Sequence, residues 1–253
     1  MVKIYALGTA GSGKSTFIAA MAEWMEKNGF RFSIVNLDPG AEEIPYEPDV
    51  DIRNWFTLPE IMKEHGLGPN GAQVAAADMV AIHVPEIKNR LESTVYDYAL
   101  IDTPGQLELF AFRESSTHII EQLGAEDSML AFIFDPILAK SPEGFASLLM
   151  LSNTVHFRFY LPFLNLLGKS DLLTTDERDM ILEWGDSDEA LYNALREREG
   201  MRASMNLEVF KALELLGAYR KLIPLSSYEG EGMEDVYFVA QQIFSGGDDL
   251  SAE

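Results

Sequence analysis

Apolar and polar positions follow two different rhythms along this chain. Short runs rich in β-branched and aromatic residues recur at Val2 to Leu7, Phe32 to Asn36, Tyr98 to Ile101, Met129 to Phe134, Phe159 to Leu166 and Leu222 to Leu225, and these read as strands. Longer stretches, with apolar residues every three or four positions, predict helices at Ser15 to Lys27, Pro142 to Val155, Thr175 to Arg198, Met205 to Leu216 and Met233 to Phe244. Strands alternating with helices predict an α/β fold with a mostly parallel central sheet flanked by helices. Two regions interrupt the alternation, Pro45 to Arg90 and Thr174 to Gly217. The first holds "GLGPNGA", Gly66 to Ala72, whose Pro-Asn pair between glycines predicts a tight, stiff turn. The second reads as a helical insertion. Neither has the Gly/Ser-rich composition of a linker, so residues 1–253 read as one domain with insertions at about 45–90 and 174–217. The polar tail "GGDDLSAE" reads as frayed.

Composition narrows the function. A chain of 253 residues with 47% hydrophobic content can bury a sizeable core. Its 41 acidic against 19 basic residues, net charge −22, oppose direct binding to nucleic-acid phosphates. A solvated acidic surface is the simplest reading, and a basic partner the next. With no cysteine there are no disulfides or thiolate metal sites, and His65, His83, His118 and His156 lack ligand spacing. The Met and aromatic positions from Leu148 to Tyr160 read most simply as core. No apolar run reaches the length of a bilayer span, and "MVKIYALGTAG" has too short an apolar stretch for a signal peptide. The expectation is a soluble, cytoplasmic protein that binds no membrane.

Candidate chemistry starts at "GTAGSGKS", Gly8 to Ser15, a complete G-x-x-x-x-G-K-[ST] between a predicted strand and a predicted helix. Gly11 and Gly13 let the backbone N–H groups turn inward around phosphate oxygens, and the helix N-terminus adds its positive dipole end. Gly11, Ser12, Gly13, Lys14, Ser15 and Thr16 are the expected phosphate cradle, with Lys14 reaching the β and γ phosphates and Ser15 ligating Mg²⁺. "YALIDTPGQLE" puts Asp102 at a strand end, where a Mg²⁺ carboxylate belongs, and follows it with Gly105, an amide for the γ-phosphate, and Gln106, able to orient a water. Asp38 in "IVNLDPG" either serves the attacking water or only starts the Asp38-Pro39-Gly40 turn.

Two further loops suit a base. In "GKSD", Asp171 can accept from guanine N1–H and its exocyclic amine, a paired donor edge that adenine lacks. Lys169 can lay its stem along the base, while Ser226 and Ser227 of "LSSYEG" can support the loop and meet the guanine oxygen through their backbone N–H groups.

In their order along nearly the whole chain, the phosphate loop, "LDPG", "PYEPDVDIR", "LGPNG", "DTPGQLE", "GKSD" and "LSS" resemble the GPN-loop GTPases. That resemblance implies a P-loop GTPase that binds GTP or GDP with Mg²⁺ and acts as a homodimer with nucleotide sites facing the interface. It further implies that Gly68, Pro69 and Asn70 of one subunit reach the phosphates held by the other, with Asn70 presented in trans. The set that orients the nucleophile would be Asp38, Gln106 and Glu108, with Ser15 and Asp102 around the metal. RNA polymerase or assembly components are the partner proteins the resemblance suggests. Two departures stand out: Gly168 replaces the asparagine that braces the base-reading loop against the phosphate loop, and Ser227-Tyr228 stand where Ala-Lys is commoner. Two other readings compete, a P-loop kinase acting on a small molecule or a nucleic-acid end and a nucleotide-gated assembly module; "GKSD" is unexplained by an ATP-dependent kinase.

Overall fold

The computed structural model of the protein describes residues 1–197, 208, 210–215 and 221–246. Its centre is a sheet of strands β1 (Val2–Gly8), β2 (Phe32–Asn36), β3 (Val50–Asp51), β4 (Tyr98–Asp102), β5 (Ser128–Phe134), β6 (Phe163–Leu167) and β7 (Leu222–Pro224). Every pairing is parallel and the order is β3-β2-β4-β1-β5-β6-β7. Strands β1 and β5 are buried at all their positions, so both faces of the sheet are covered and their sequences read as continuous apolar runs.

Side chains leave each strand alternately to the two faces, which creates two cores. On one face, helix α1 (Lys14–Lys27) sets Phe17, Ile18, Met21 and Met25 against Ile4, Ala6 and Leu100. On the other, Tyr5, Leu7, Val35, Ile101 and Phe132 pack beneath α2 (Leu58–His65), α3 (Pro69–Ile82), α4 (Val84–Glu92), α5 (Leu107–Ala111) and α6 (Glu114–Leu123), with α7 (Pro136–Ala139) and α8 (Pro142–Phe159) beyond them. Helices α9 (Thr175–Asp186) and α10 (Asp188–Arg196) cover the same face, and α11 (Met233–Phe244) joins α1.

Four sequence expectations change. "GLGPNGA" is not a tight turn: Gly66, at φ 63, ends α2, and Pro69 starts α3 after Gly68 at φ −71. A proline's fixed φ suits a first helical position as well as a turn, and its missing N–H costs nothing there. The strand expected from Phe159 begins instead at Phe163, because α8 runs on to Phe159 and stops at Tyr160 in the left-handed region. Within that helix Leu148, Leu149 and Val155 are core, whereas Met150, Phe157 and Tyr160 are exposed. The single helix expected from Thr175 is two, broken at Ser187, whose hydroxyl caps α10 by accepting from Ala190 N–H. Most of the helix expected over Met205 to Leu216 lies outside the described residues, although 210–215 are helical. Arg198 and the tail beyond residue 246 also lie outside them. No helix of the described residues is long and apolar enough to cross a membrane.

Because every strand runs the same way, the segments after β1, β2, β4, β6 and β7 emerge along one edge of the sheet. That edge gathers residues 8–13, 37–41, 103–106, 168–171 and 225–232, where ligands of open parallel sheets bind.

Candidate nucleotide site

Gly8, Gly11 and Gly13 all take positive φ, and Ser12 N–H closes a turn on Thr9 O at 3.1 Å. Gly13 precedes α1 with φ 104 and no side chain caps the helix. The first-turn amides of α1 therefore have no intrahelical acceptor and stand at the positive dipole end of the helix, as an anion site requires. Lys14 is buried. Its ammonium donates to Gly8 O, Thr9 O and Gly105 O at 3.2, 3.1 and 2.9 Å, so it already spans the first loop and the loop after β4. Burial pushes that ammonium below its ordinary pKa, opposed by Asp102 and Asp38.

Asp102 is 1% exposed at the end of β4. One oxygen accepts from the Tyr46 hydroxyl at 2.6 Å, while Oδ1 is buried with no hydrogen-bond partner. Burial pushes this carboxyl above the usual carboxylate range, and Ser15, Tyr46 and Lys14 act against that rise. An anionic oxygen left in this way calls for a cation or a donor. Ser15 and Asp102 fit Mg²⁺, a hard ion that takes one or two protein oxygens and completes its shell with phosphate and water. Among the described residues no group of three or more His, Cys, Asp or Glu could hold a metal by itself.

Asp38 starts the expected turn and also reaches the loop after β4. Its Oδ1 accepts from Gly40 N–H at 2.8 Å, closing the turn, and its Oδ2 accepts from Gly105 N–H at 2.9 Å. The amide expected to meet a γ-phosphate thus carries a carboxylate here. Behind Asp38, buried Asn36 accepts from Asp38 N–H at 3.0 Å and donates to Asp51 at 3.0 Å. Asp51 is in turn gripped by Arg53, with Nη2 to Oδ2 at 2.6 Å. Asn36, Asp51 and Arg53 were not singled out as site residues. Asp51 and Arg53 lie in the "PDVDIR" run, where a two-residue strand such as β3 has no periodicity to read, and Asn36 lies at the end of β2, two residues before Asp38.

A cavity of about 220 Å³ opens beside this cluster, lined by Ala10, Asp38, Gly105, Gln106, Gln73 and Leu109 among others. Gln106 is the exposed N-cap of α5, and Glu108 is exposed in its first turn. Thr16 borders a second, open cleft with Tyr46 and Ser227. In the loops after β6 and β7, Ser226 Oγ donates to exposed Asp171 at 2.8 Å, and Ser170 Oγ donates to Glu231 at 2.8 Å. Ser226 N–H is taken by Glu231 O at 3.2 Å, so this amide supports the loop and is not free for a base oxygen.

A family model described as "Conserved hypothetical ATP binding protein" matches residues 6–246. The chain is also 34% identical over 249 residues to GPN-loop GTPase PAB0955 of Pyrococcus abyssi, covering 97% of this chain and 98% of that one. The chain belongs to the GPN-loop GTPase family. The solved apo structure of PAB0955 superposes with a TM-score of 0.86 at 30% identity, over 96% of this chain and 97% of that one. GPN-loop GTPase 1 of Dictyostelium discoideum is 27% identical over 239 residues, and the match spans 93% of this chain but 60% of that longer relative.

The motif that names the GPN-loop family is set apart from the cluster just described. Gly68, Pro69 and Asn70 are exposed at the start of α3, and among the described residues no side-chain hydrogen bond or ion pair joins them to their own phosphate loop. One turn further along the same helix, Gln73 does line the cavity with Asp38 and Gln106. Gly168 also has a physical account in this GPN-loop protein. A Cβ there would sit 2.6 Å from Ile133 Cγ2 and 2.9 Å from Ser12 O, so the loop after β6 rests directly on the loop after β1. The brace comes from the next residue: Lys169, at φ 52, donates to Gly11 O at 2.5 Å and lies 3.9 Å from Asp135.

Proposed function

We propose that this protein is a Mg²⁺-dependent GTPase working as a homodimeric nucleotide switch. The observation that carries this reading is the convergence of Lys14, Asp38, Asp102 and Gly105 on one sheet edge, beside a cavity that Gln106 also lines. Lys14 and the loop amides hold the β and γ phosphates, and Asp38 and Gln106 orient the attacking water in the cavity. Ser15 and Asp102 would hold Mg²⁺, which would supply positive charge to the phosphates. Glu108, in the first turn of α5, supports the water-orienting set. Asp171 reads guanine; the family description speaks of ATP while the relatives' names speak of GTP, and a carboxylate that can accept from the paired donor edge of guanine supports GTP.

The exposed Gly68-Pro69-Asn70 stretch suits delivery to a second copy, where Asn70 offers a neutral hydrogen-bonding group to the partner's γ-phosphate. The switch then acts through partner proteins, RNA polymerase or its assembly components being the candidates drawn from family resemblance.

Phosphate release from GTP and ATP is to be compared with and without Mg²⁺ over a range of protein concentrations. GTP-selective, Mg²⁺-dependent turnover whose specific activity rises with concentration is expected. Equal use of ATP would overturn Asp171 as the base reader, and turnover of neither nucleotide would favour the kinase reading. Asn70→Ala is expected to lower turnover by about tenfold or more, the loss of one transition-state hydrogen bond, with dimerisation and fold unchanged. Unchanged turnover in a folded dimer would remove Asn70 from the reaction.

A further inference from the structure

The segment between β2 and β3 contains "PYEP", which has no role in the reaction described so far. Its anchoring is extensive. Asp49 N–H donates to Ile34 O at 2.9 Å, the Asp49 carboxylate accepts from Ile34 N–H at 2.7 Å, and β3 then pairs with β2. Pro45 and Pro48 flank Tyr46 and its neighbour, and proline restricts both its own φ and the residue before it. The Tyr46 ring packs against the core shared with α1, in the cleft lined by Thr16, Ala19 and Ile34. Its hydroxyl donates to Asp102 Oδ2 at 2.6 Å.

We infer that Tyr46 is a positioning residue for the Mg²⁺ carboxylate. This rests on the proposed Mg²⁺-dependent reaction and adds to it a residue from a different segment. A carboxylate on a strand end can rotate about its last torsion. With Oδ2 tied to a fixed phenol, Oδ1 is the oxygen left for the metal, and it is the one without a partner. Outer partners of metal ligands act in this manner, and losing one typically weakens metal binding by about 10-fold to 100-fold. The same contact couples the segment after β2 to the metal.

The test uses the full chain carrying a fluorescent GDP analogue, with release followed against free Mg²⁺. Tyr46→Phe keeps the ring and removes the hydroxyl. The free Mg²⁺ needed for half-maximal slowing of release is expected to rise by about 10-fold to 100-fold, while GDP affinity in EDTA stays unchanged. In an Asp102→Asn background the same change is expected to add nothing. The role of Tyr46 is overturned if the Mg²⁺ requirement is unaltered or lowered, if GDP binding weakens equally in EDTA, or if the effect persists at full size in the Asp102→Asn background. A wild-type protein whose GDP release ignores Mg²⁺ would instead overturn the Mg²⁺ reading itself.

Discussion

Lys14→Met is expected to lower GTP turnover by about two to three orders of magnitude, the loss seen when one buried charge-stabilising donor is removed from a transition state. The structure makes this a clean substitution. Lys14 is 6% exposed, and among the described residues its ammonium hydrogen-bonds to the carbonyls of Gly8, Thr9 and Gly105. Methionine keeps a flexible chain of similar reach and removes the charge that three phosphate-facing segments share. Stability is expected to change little, because a desolvated ammonium already held below its ordinary pKa contributes little net to folding. Steady-state turnover at saturating GTP, a GDP titration and a urea midpoint separate the two effects. Loss of turnover with a retained midpoint is the expected pattern. Turnover within a few-fold of wild type would mean that the γ-phosphate charge is met elsewhere.

Gly168→Asn restores the residue commoner in the family and is nevertheless expected to harm this protein. A Cβ at 168 would lie 2.6 Å from Ile133 Cγ2 and 2.9 Å from Ser12 O. Ile133 is fully buried and β-branched, and Ser12 O belongs to the phosphate loop backbone, so neither neighbour can swing aside cheaply. Overpacking of this kind costs about 1–3 kcal/mol, and in a domain of this size each kcal/mol lowers the unfolding temperature by roughly 2–4 °C. The displaced group is Ser12, so GDP affinity is expected to fall alongside stability. Urea unfolding and GDP titration check both, and a variant as stable as wild type with tighter GDP would show that residues 168–171 can lift off the phosphate loop without penalty.

The contrast between these two positions shows what was legible in the sequence. Lys14 could be assigned from a motif because the requirement is local: eight consecutive residues, a strand before them and a helix after. The same holds for Asp102 and Gly105, and the strands that lead into them were placed to within a residue or two. Gly168 looked like a lost brace, because the close approach of Ser12 O and Ile133 comes from segments far away in the chain. Residues 45–90 were opaque for another reason. Helix α3 buries mostly small residues, Ala72, Ala76 and Ala77, whose pattern is faint, and β3 is two residues long. Tyr46, Asn36 and Arg53 act through partners that only the folded sheet brings near. At Phe159 an aromatic run favoured strand by propensity, and the packing of α8 overrode it.

The carboxylate of Asp38 on the amide of Gly105 carries a wider meaning. Two anions cannot share one N–H, so a phosphoryl group bound there would turn the Asp38 carboxylate off Gly105 while Gly40 N–H still holds its other oxygen. Occupancy of the site and posture of that segment then become one linked equilibrium. Any protein that gains contacts when Asp38 is displaced strengthens nucleotide binding, and the nucleotide strengthens that protein's grip by the same factor.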